Sequence, residues 1–239
     1  MVLPDLKNSE SKKAQVTNMF NSISDRYDFL NHVLSFGIDF WWRKKAIHLL
    51  KTLPHDVILD VATGTADLAI QSASLSPKKI VGIDVSDGML EIGRKKINKR
   101  KLEHIIELKK GDSECIQFED NFFDAVTVGF GVRNFENLEI GLAEMLRVVK
   151  PGGRIVILEF SKPVNFLFKY LYKFYFSAIL PFIGKKISNN TLAYEYLPQS
   201  VYNFPNGNNF VTILNRLGYK NVECSTLTFG ISTLYWGSK

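Results

Sequence analysis

Two short runs of branched apolar residues, each ending in a carboxylate, constrain this chain more than any other feature. Val57-Ile58-Leu59-Asp60 leads into a loop of small residues, Val61-Ala62-Thr63-Gly64-Thr65-Ala66-Asp67. Ile80-Val81-Gly82-Ile83-Asp84 repeats the pattern, and Asp84 lies 20 residues beyond Gly64. Near-continuous apolar runs of this length are strands buried on both faces. A small-residue loop after the first strand lets backbone approach a ligand closely. An acid at the tip of the second strand can accept hydrogen bonds from ribose hydroxyls. The pair implies an α/β chain with a nucleoside pocket at the carboxyl ends of its strands.

The rest of the chain extends that alternation. Residues 10–50 read as mostly helical, with Trp41, Trp42, Ala46, Ile47, Leu49 and Leu50 as an apolar face and Pro54 as the stop. Trp41 and Trp42 are expected to pack inward. Strands are expected at about 56–61, 79–84, 104–109, 124–128 and 154–158. Helices are expected from Ala66 to about Ser74, after Asp87 as its cap, and over 138–149. A helix near 207–217 precedes an antiparallel hairpin, Val222–Cys224 with Thr228–Trp236, that bends near Gly230. Strands alternating with helices predict a mostly parallel sheet with helices on both faces.

With 239 residues and 46% hydrophobic content, one large core is the simplest arrangement. The first dozen residues are polar enough to be disordered. The net charge of +6 concentrates in Arg94, Lys95, Lys96, Lys99, Arg100 and Lys101, followed by Lys109 and Lys110. A solvated helix face explains this run, with attraction to an anionic membrane or a nucleic acid as the alternative. Cys115 and Cys224 have no metal-ligand spacing, so no metal is expected and a reduced, cytoplasmic protein fits. No signal-peptide core begins the sequence. The aromatic stretch over 164–184 contains Lys169, Lys173 and Pro181, and each central Lys costs roughly 2.5–3.5 kcal/mol in a bilayer. It is therefore read as an interfacial helix or lipid-tail groove rather than a span.

The first loop carries one glycine, Gly64, where a dinucleotide fingerprint needs three. A pyrophosphate cradle is thereby disfavoured, and a phosphate-free nucleoside ligand favoured. Asp60, Gly64, Thr65 and Asp84 are the expected ligand-binding residues of the first two strand tips. Gly111-Asp112-Ser113 follows strand three, placing Asp112 to reach an adenine amino group and the Ser113 N–H a ring nitrogen. Arg133 and Asn134 follow strand four at the edge where ligands bind. Asp25, Asp28 and His32 share one helix face near Tyr27; Tyr27 is taken as a site residue and His32 is not.

Several segments together resemble a known family. Leu59–Asp67, Gly82–Leu90 and Glu144–Gly153 look like class I S-adenosylmethionine-dependent methyltransferases. More specific are Tyr27–Asn31, Leu34–Asp39, Trp42-Arg43, Phe130–Asn134, Leu158–Pro163 and Tyr194–Ser200. These resemble the ubiquinone/menaquinone biosynthesis C-methyltransferases from about Phe20 to Trp236. Ala66 stands where many members have a second Gly, and Gly129 where some have a Ser.

The resemblance implies a Rossmann-like fold with a seven-stranded sheet, S-adenosyl-L-methionine as cofactor, and C-methylation of demethylmenaquinol. It implies an N-terminal helical substrate cap over 1–50 and a single methyltransferase domain over 51–239 with an aromatic insertion at 164–190. Arg133, Asn134 and Tyr27 would serve the chemistry. Arg133 stays protonated and so would stabilise a phenolate or polarise a water, and Asn134 would orient the quinol oxygen. The expected partners are a polyprenyl quinol and the inner membrane surface, met peripherally, with a homodimer left open and no nucleic acid. Alternatives are the methoxy-benzoquinol precursor of ubiquinone as substrate, a nicotinamide-dependent oxidoreductase, an RNA methyltransferase, and a non-catalytic lipid-binding module.

Overall fold

The computed structural model describes residues 2–35, 37–163 and 191–239. The expected insertion at 164–190 lies outside the described residues. Helix α1 (Lys12–Leu34) and α2 (Ile38–His48) precede β1 (Val57–Val61), α3 (Asp67–Ser72), β2 (Lys79–Asp84) and α4 (Asp87–Lys99). Then follow β3 (Ile106–Lys110), β4 (Phe123–Gly129), α5 (Leu138–Val148) and β5 (Val149–Phe160). The described part closes with α6 (Thr191–Asn203), α7 (Asn208–Arg216), β6 (Lys220–Leu227) and β7 (Ser232–Ser238).

The seven strands lie in the order β3-β2-β1-β4-β5-β7-β6. β1 pairs in parallel with both β2 and β4, and β7 runs antiparallel between β5 and β6. This is the mostly parallel sheet with a C-terminal hairpin that the sequence implied. Strand order reverses between β1 and β4, the switch point where two βα loops diverge and leave a crevice.

Alternate residues of each strand feed two cores. Leu59, Val61, Val81, Ile83, Val126, Val128, Ile155 and Ile157 pack against α5 and α7 on one face. Ile58, Ile80, Ala125, Val156 and Leu158 pack with Trp42, Ala46, Leu68 and Leu90 from α2, α3 and α4 on the other. Burial on both faces explains why these strands read as unbroken apolar runs.

Three local expectations are corrected. β3 starts at Ile106 rather than 104, because a turn intervenes in which Ile105 and Ile106 N–H both donate to the Leu102 carbonyl at 3.1 and 2.9 Å. The cap of α4 is Ser86, whose hydroxyl accepts the Met89 N–H at 3.3 Å, so Asp87 is the first helical residue. Only Trp42 packs inward; Trp41 is 46% exposed, with the Lys45 ammonium 5.3 Å from its ring centre.

Candidate active site

The β1–α3 loop is bent by positive φ at Ala62 (50°), Gly64 (55°) and Ala66 (66°). A Cβ placed on Gly64 would meet nothing within 4 Å, so its backbone faces open space. Asp84 holds this loop to β2: one oxygen accepts the Gly64 N–H and the other the Ser86 N–H, each at 2.8 Å. Burial pushes the Asp84 carboxyl upward, and those backbone donors oppose the shift. Asp60 works from beneath. It accepts from the Thr63 hydroxyl at 2.6 Å and the Thr127 hydroxyl at 2.7 Å. It is 1% exposed, and burial drives its carboxyl up to about 6.

Above the loop lies a cleft with about 690 Å³ of free space, part of it open to solvent. Gly64, Asp84, Asp112, Ser113, Asn134 and Tyr27 line it. Asp60 and Thr65 do not reach it; they border a smaller chamber behind the loop. The Thr65 hydroxyl is committed to Asp28 at 2.5 Å. Lys96 bridges Asp28 (2.8 Å) and Asp67, and Arg43 joins Asp39 and lies 3.6 Å from Asp67. His32 completes the network, 2.8 Å from Asp39. Asp28, His32 and Asp67 lie close enough to hold a metal ion, but Lys96 and Arg43 already neutralise the carboxylates. Lys96 thus leaves the solvated basic face that the sequence assigned to it. Lys95 and Lys110 remain on that face, paired with Glu91 and Asp87.

One long helix supplies what sequence reasoning missed. Lys13, Val16 and Phe20 of α1 line the cleft beside Tyr27. Lys13 pairs with Asp112 at 2.6 Å and lies 3.4 Å from Glu114. The cleft still carries more acid than base: Asp84, Asp112, Glu114 and Glu136 face one Lys. Such a lining suits a cation and repels a pyrophosphate.

Arg133 lies in the turn after β4, against the end of β5. Its Nη1 donates to Glu159 at 2.8 Å and to the Phe130 carbonyl, and its backbone N–H donates to the other Glu159 oxygen at 3.2 Å. Its guanidinium lies 5.3 Å from the Phe160 ring centre. Both partners are buried, Glu159 completely. Burial raises the Glu159 carboxyl, and Arg133 opposes that shift. A lone carboxylate in the apolar run Ile155–Phe160 was the signal for this pair. Arg133 lines a second, mostly apolar cavity with Met19, Phe20, Tyr196 and Leu197, and Phe20 and Tyr27 are shared with the cleft.

Comparison with known proteins decides the family. The model of the ubiE/COQ5 methyltransferase family matches residues 8–239. The chain belongs to that family. The demethylmenaquinone methyltransferase of Bacteroides fragilis is 45% identical over 233 residues, covering 97% of this chain and 95% of that protein. The ubiquinone/menaquinone biosynthesis C-methyltransferase UbiE of Geotalea daltonii is 46% identical over 230 residues, covering 95% and 97%. Among solved structures, a methyltransferase of Thermotoga maritima described as S-adenosylmethionine-dependent covers 93% of this chain and 99% of its own. Its TM-score is 0.65 at 17% identity, which supports the fold. The protein is an S-adenosylmethionine-dependent methyltransferase.

The residues of this methyltransferase fit that cofactor. The open backbone at Gly64 admits a ligand, and the acidic lining suits a sulfonium and an ammonium. Asn134 Oδ1, buried without a partner among the described residues, supplies an acceptor. Ala66 sits in the αL conformation, for which an L residue pays roughly 1–2 kcal/mol. No described helix is long and apolar enough to cross a membrane.

Proposed function

We propose that this methyltransferase C-methylates demethylmenaquinol, giving menaquinol. The supporting observation is the pair of cavities that share Phe20 and Tyr27, one lined by acids, the other mostly apolar with a buried cation. S-adenosylmethionine, when bound, supplies an electrophilic methyl group. Asp84 holds the ribose hydroxyls, and Asp112 with Ser113 reads the adenine edge. Asp60 and Thr65 contribute indirectly, by fixing the loop that carries Gly64.

In the second cavity Arg133 stabilises the quinol oxygen as it loses its proton, which raises electron density on the ring carbon beside it. Arg133 is no base, since a guanidinium keeps its protons; water takes the hydroxyl proton, and the ring carbon gives up its own proton to water once the methyl group has moved from sulfur to carbon. Asn134 orients the oxygen from the cofactor side. Excluding bulk water favours a transfer in which opposite charges neutralise. Residues 1–50 act as a cap, since α1 closes both cavities while 51–239 carry the sheet.

The naphthoquinol is preferred over the methoxy-benzoquinol precursor of ubiquinone because relatives from Bacteroides fragilis and Porphyromonas gingivalis carry the name demethylmenaquinone methyltransferase. The enzyme meets its prenylated substrate at the membrane surface. Phe40 and Trp41 are exposed on α2, with Lys44 and Lys45 exposed beside them. Aromatic and basic residues on one helix suit an anionic lipid surface. The deciding experiment offers labelled S-adenosylmethionine with each quinol in detergent micelles. Label is expected in menaquinol; transfer to neither quinol refutes the assignment.

A further inference from the structure

Among the described residues, two buried donors at the apolar cavity have nothing to donate to. Arg133 and Tyr196 both line this cavity, and neither the Tyr196 hydroxyl nor the Arg133 Nε–H, both enclosed, has a hydrogen-bond partner among those residues. Tyr196 is 3% exposed and sits on α6, which packs on the turn carrying Arg133. An unmade hydrogen bond on a buried donor is costly, so native proteins rarely leave two in one cavity without a ligand to accept them. Glu159 takes Nη1 and the backbone N–H of Arg133, which leaves Nε unbonded on a residue that lines the cavity. Phe160, Met19, Phe20 and Leu197 form the walls.

We infer that Tyr196 contacts the substrate: its hydroxyl and the Arg133 Nε–H together form a two-donor site for one ring oxygen of a hydroquinone, held as the phenolate. The inference rests on the functional reading above and adds to it a second residue and a preference for the ionised oxygen. One oxygen accepts both hydrogen bonds, and the hydroquinone proton leaves to solvent water. Burial pushes the Tyr196 hydroxyl up to about 12, so Tyr196 remains a donor at neutral pH and does not act as the base. The apolar walls sharpen the effect, because hydrogen bonds to an ionised oxygen are stronger where water is excluded. Neutral hydroxyl and phenolate would otherwise fit the same shape, and the two donors discriminate between them.

The test uses para-nitrophenol, whose two ionisation states differ in visible absorbance, titrated into the full chain. The wild type is expected to bind the phenolate and to lower the pKa of the bound phenol. Tyr196→Phe should weaken phenolate binding about ten- to a hundredfold and raise the bound pKa by about one unit. Its S-adenosylmethionine affinity should stay at the wild-type value, and its melting temperature should hold or rise, since an unpaired buried hydroxyl is removed. Tyr202→Phe, on the exposed side of the same helix, should change none of these. In methyl transfer, the acidic limb of the kcat profile, which reports the bound complex, should move to higher pH in Tyr196→Phe. Equal nitrophenolate binding by wild type and Tyr196→Phe would overturn the inference. So would a parallel loss of cofactor affinity and melting temperature, which marks a structural role, or no binding by the wild type. If the wild type binds nitrophenolate through Tyr196 yet methylates neither quinol, the functional reading falls and the oxyanion site stands.

Discussion

Replacing Glu159 with Gln removes one negative charge and almost no volume, and tests the buried pair on which Arg133 depends. Glu159 accepts three hydrogen bonds: from Arg133 Nη1 at 2.8 Å, from the Arg133 backbone N–H at 3.2 Å, and from the Phe160 N–H at 2.8 Å. Hydrogen bonds to a charged acceptor contribute about 1.5–3 kcal/mol and neutral ones about 0.5–1.5, so three downgraded bonds cost about 3 kcal/mol. The Gln amide also turns a donor toward one of these N–H groups. Breaking a buried ion pair by removing one partner costs about 3–5 kcal/mol, which agrees. For a chain of this size that lowers Tm by roughly 6–20 °C. Urea unfolding at pH 7 reads the change directly. The double variant Glu159→Gln with Arg133→Met should recover much of the loss, since no uncompensated guanidinium remains. A loss under about 1 kcal/mol, or strict additivity in the cycle, would refute the reasoning.

Asp60 gives a pH signature. Its folded-state pKa is raised to about 6 from 3.8, so the folded chain holds a proton that the unfolded chain has released, and stability falls as pH rises from about 4 to 6. The stability of wild type minus that of Asp60→Asn should fall by about 3 kcal/mol across that window in urea titrations; a constant or rising difference contradicts it. Gly131→Ala places a Cβ 2.6 Å from the Ala62 Cβ, displacing the cofactor loop. Calorimetry should show S-adenosylmethionine affinity falling about tenfold and stability dropping about 1–3 kcal/mol, and wild-type values would exclude the contact. Lys44→Ala combined with Lys45→Ala should weaken binding to phosphatidylserine vesicles about 30-fold in sedimentation, with activity on a short-chain quinol retained. Undiminished binding would move the membrane face elsewhere.

The strand tips were legible because period and chemistry coincide there. A run such as Ile80–Asp84, short and rich in β-branched residues, reads as a doubly buried strand, and a carboxylate at its end has a short list of uses. Asp84, Gly64, Asp112, Ser113 and Asn134 accordingly line one cleft. Asp60 and Thr65 were equally legible as polar residues of the loop, but their direction was not. Both turn away, to Thr63 and Thr127 in one case and to Asp28 in the other. Trp41 and Trp42 show the same limit: adjacent residues on a helix differ by about 100°, and only the docking of α2 selected Trp42 for burial.

The sequence by itself determined the sheet, its doubly covered character and the single-glycine loop that rims the cleft, because each shows in residues near one another in the chain. Only the tertiary structure decided who closes the cleft and what Arg133 faces. Lys13 reaches Asp112 across 99 residues and Arg133 reaches Glu159 across 26, with Tyr196 brought to the same cavity by a separate helix. No local pattern encodes such pairings. They exist because packing α1 and α6 over the sheet edge removes water from these groups, and a buried charge or donor must then find its partner in space.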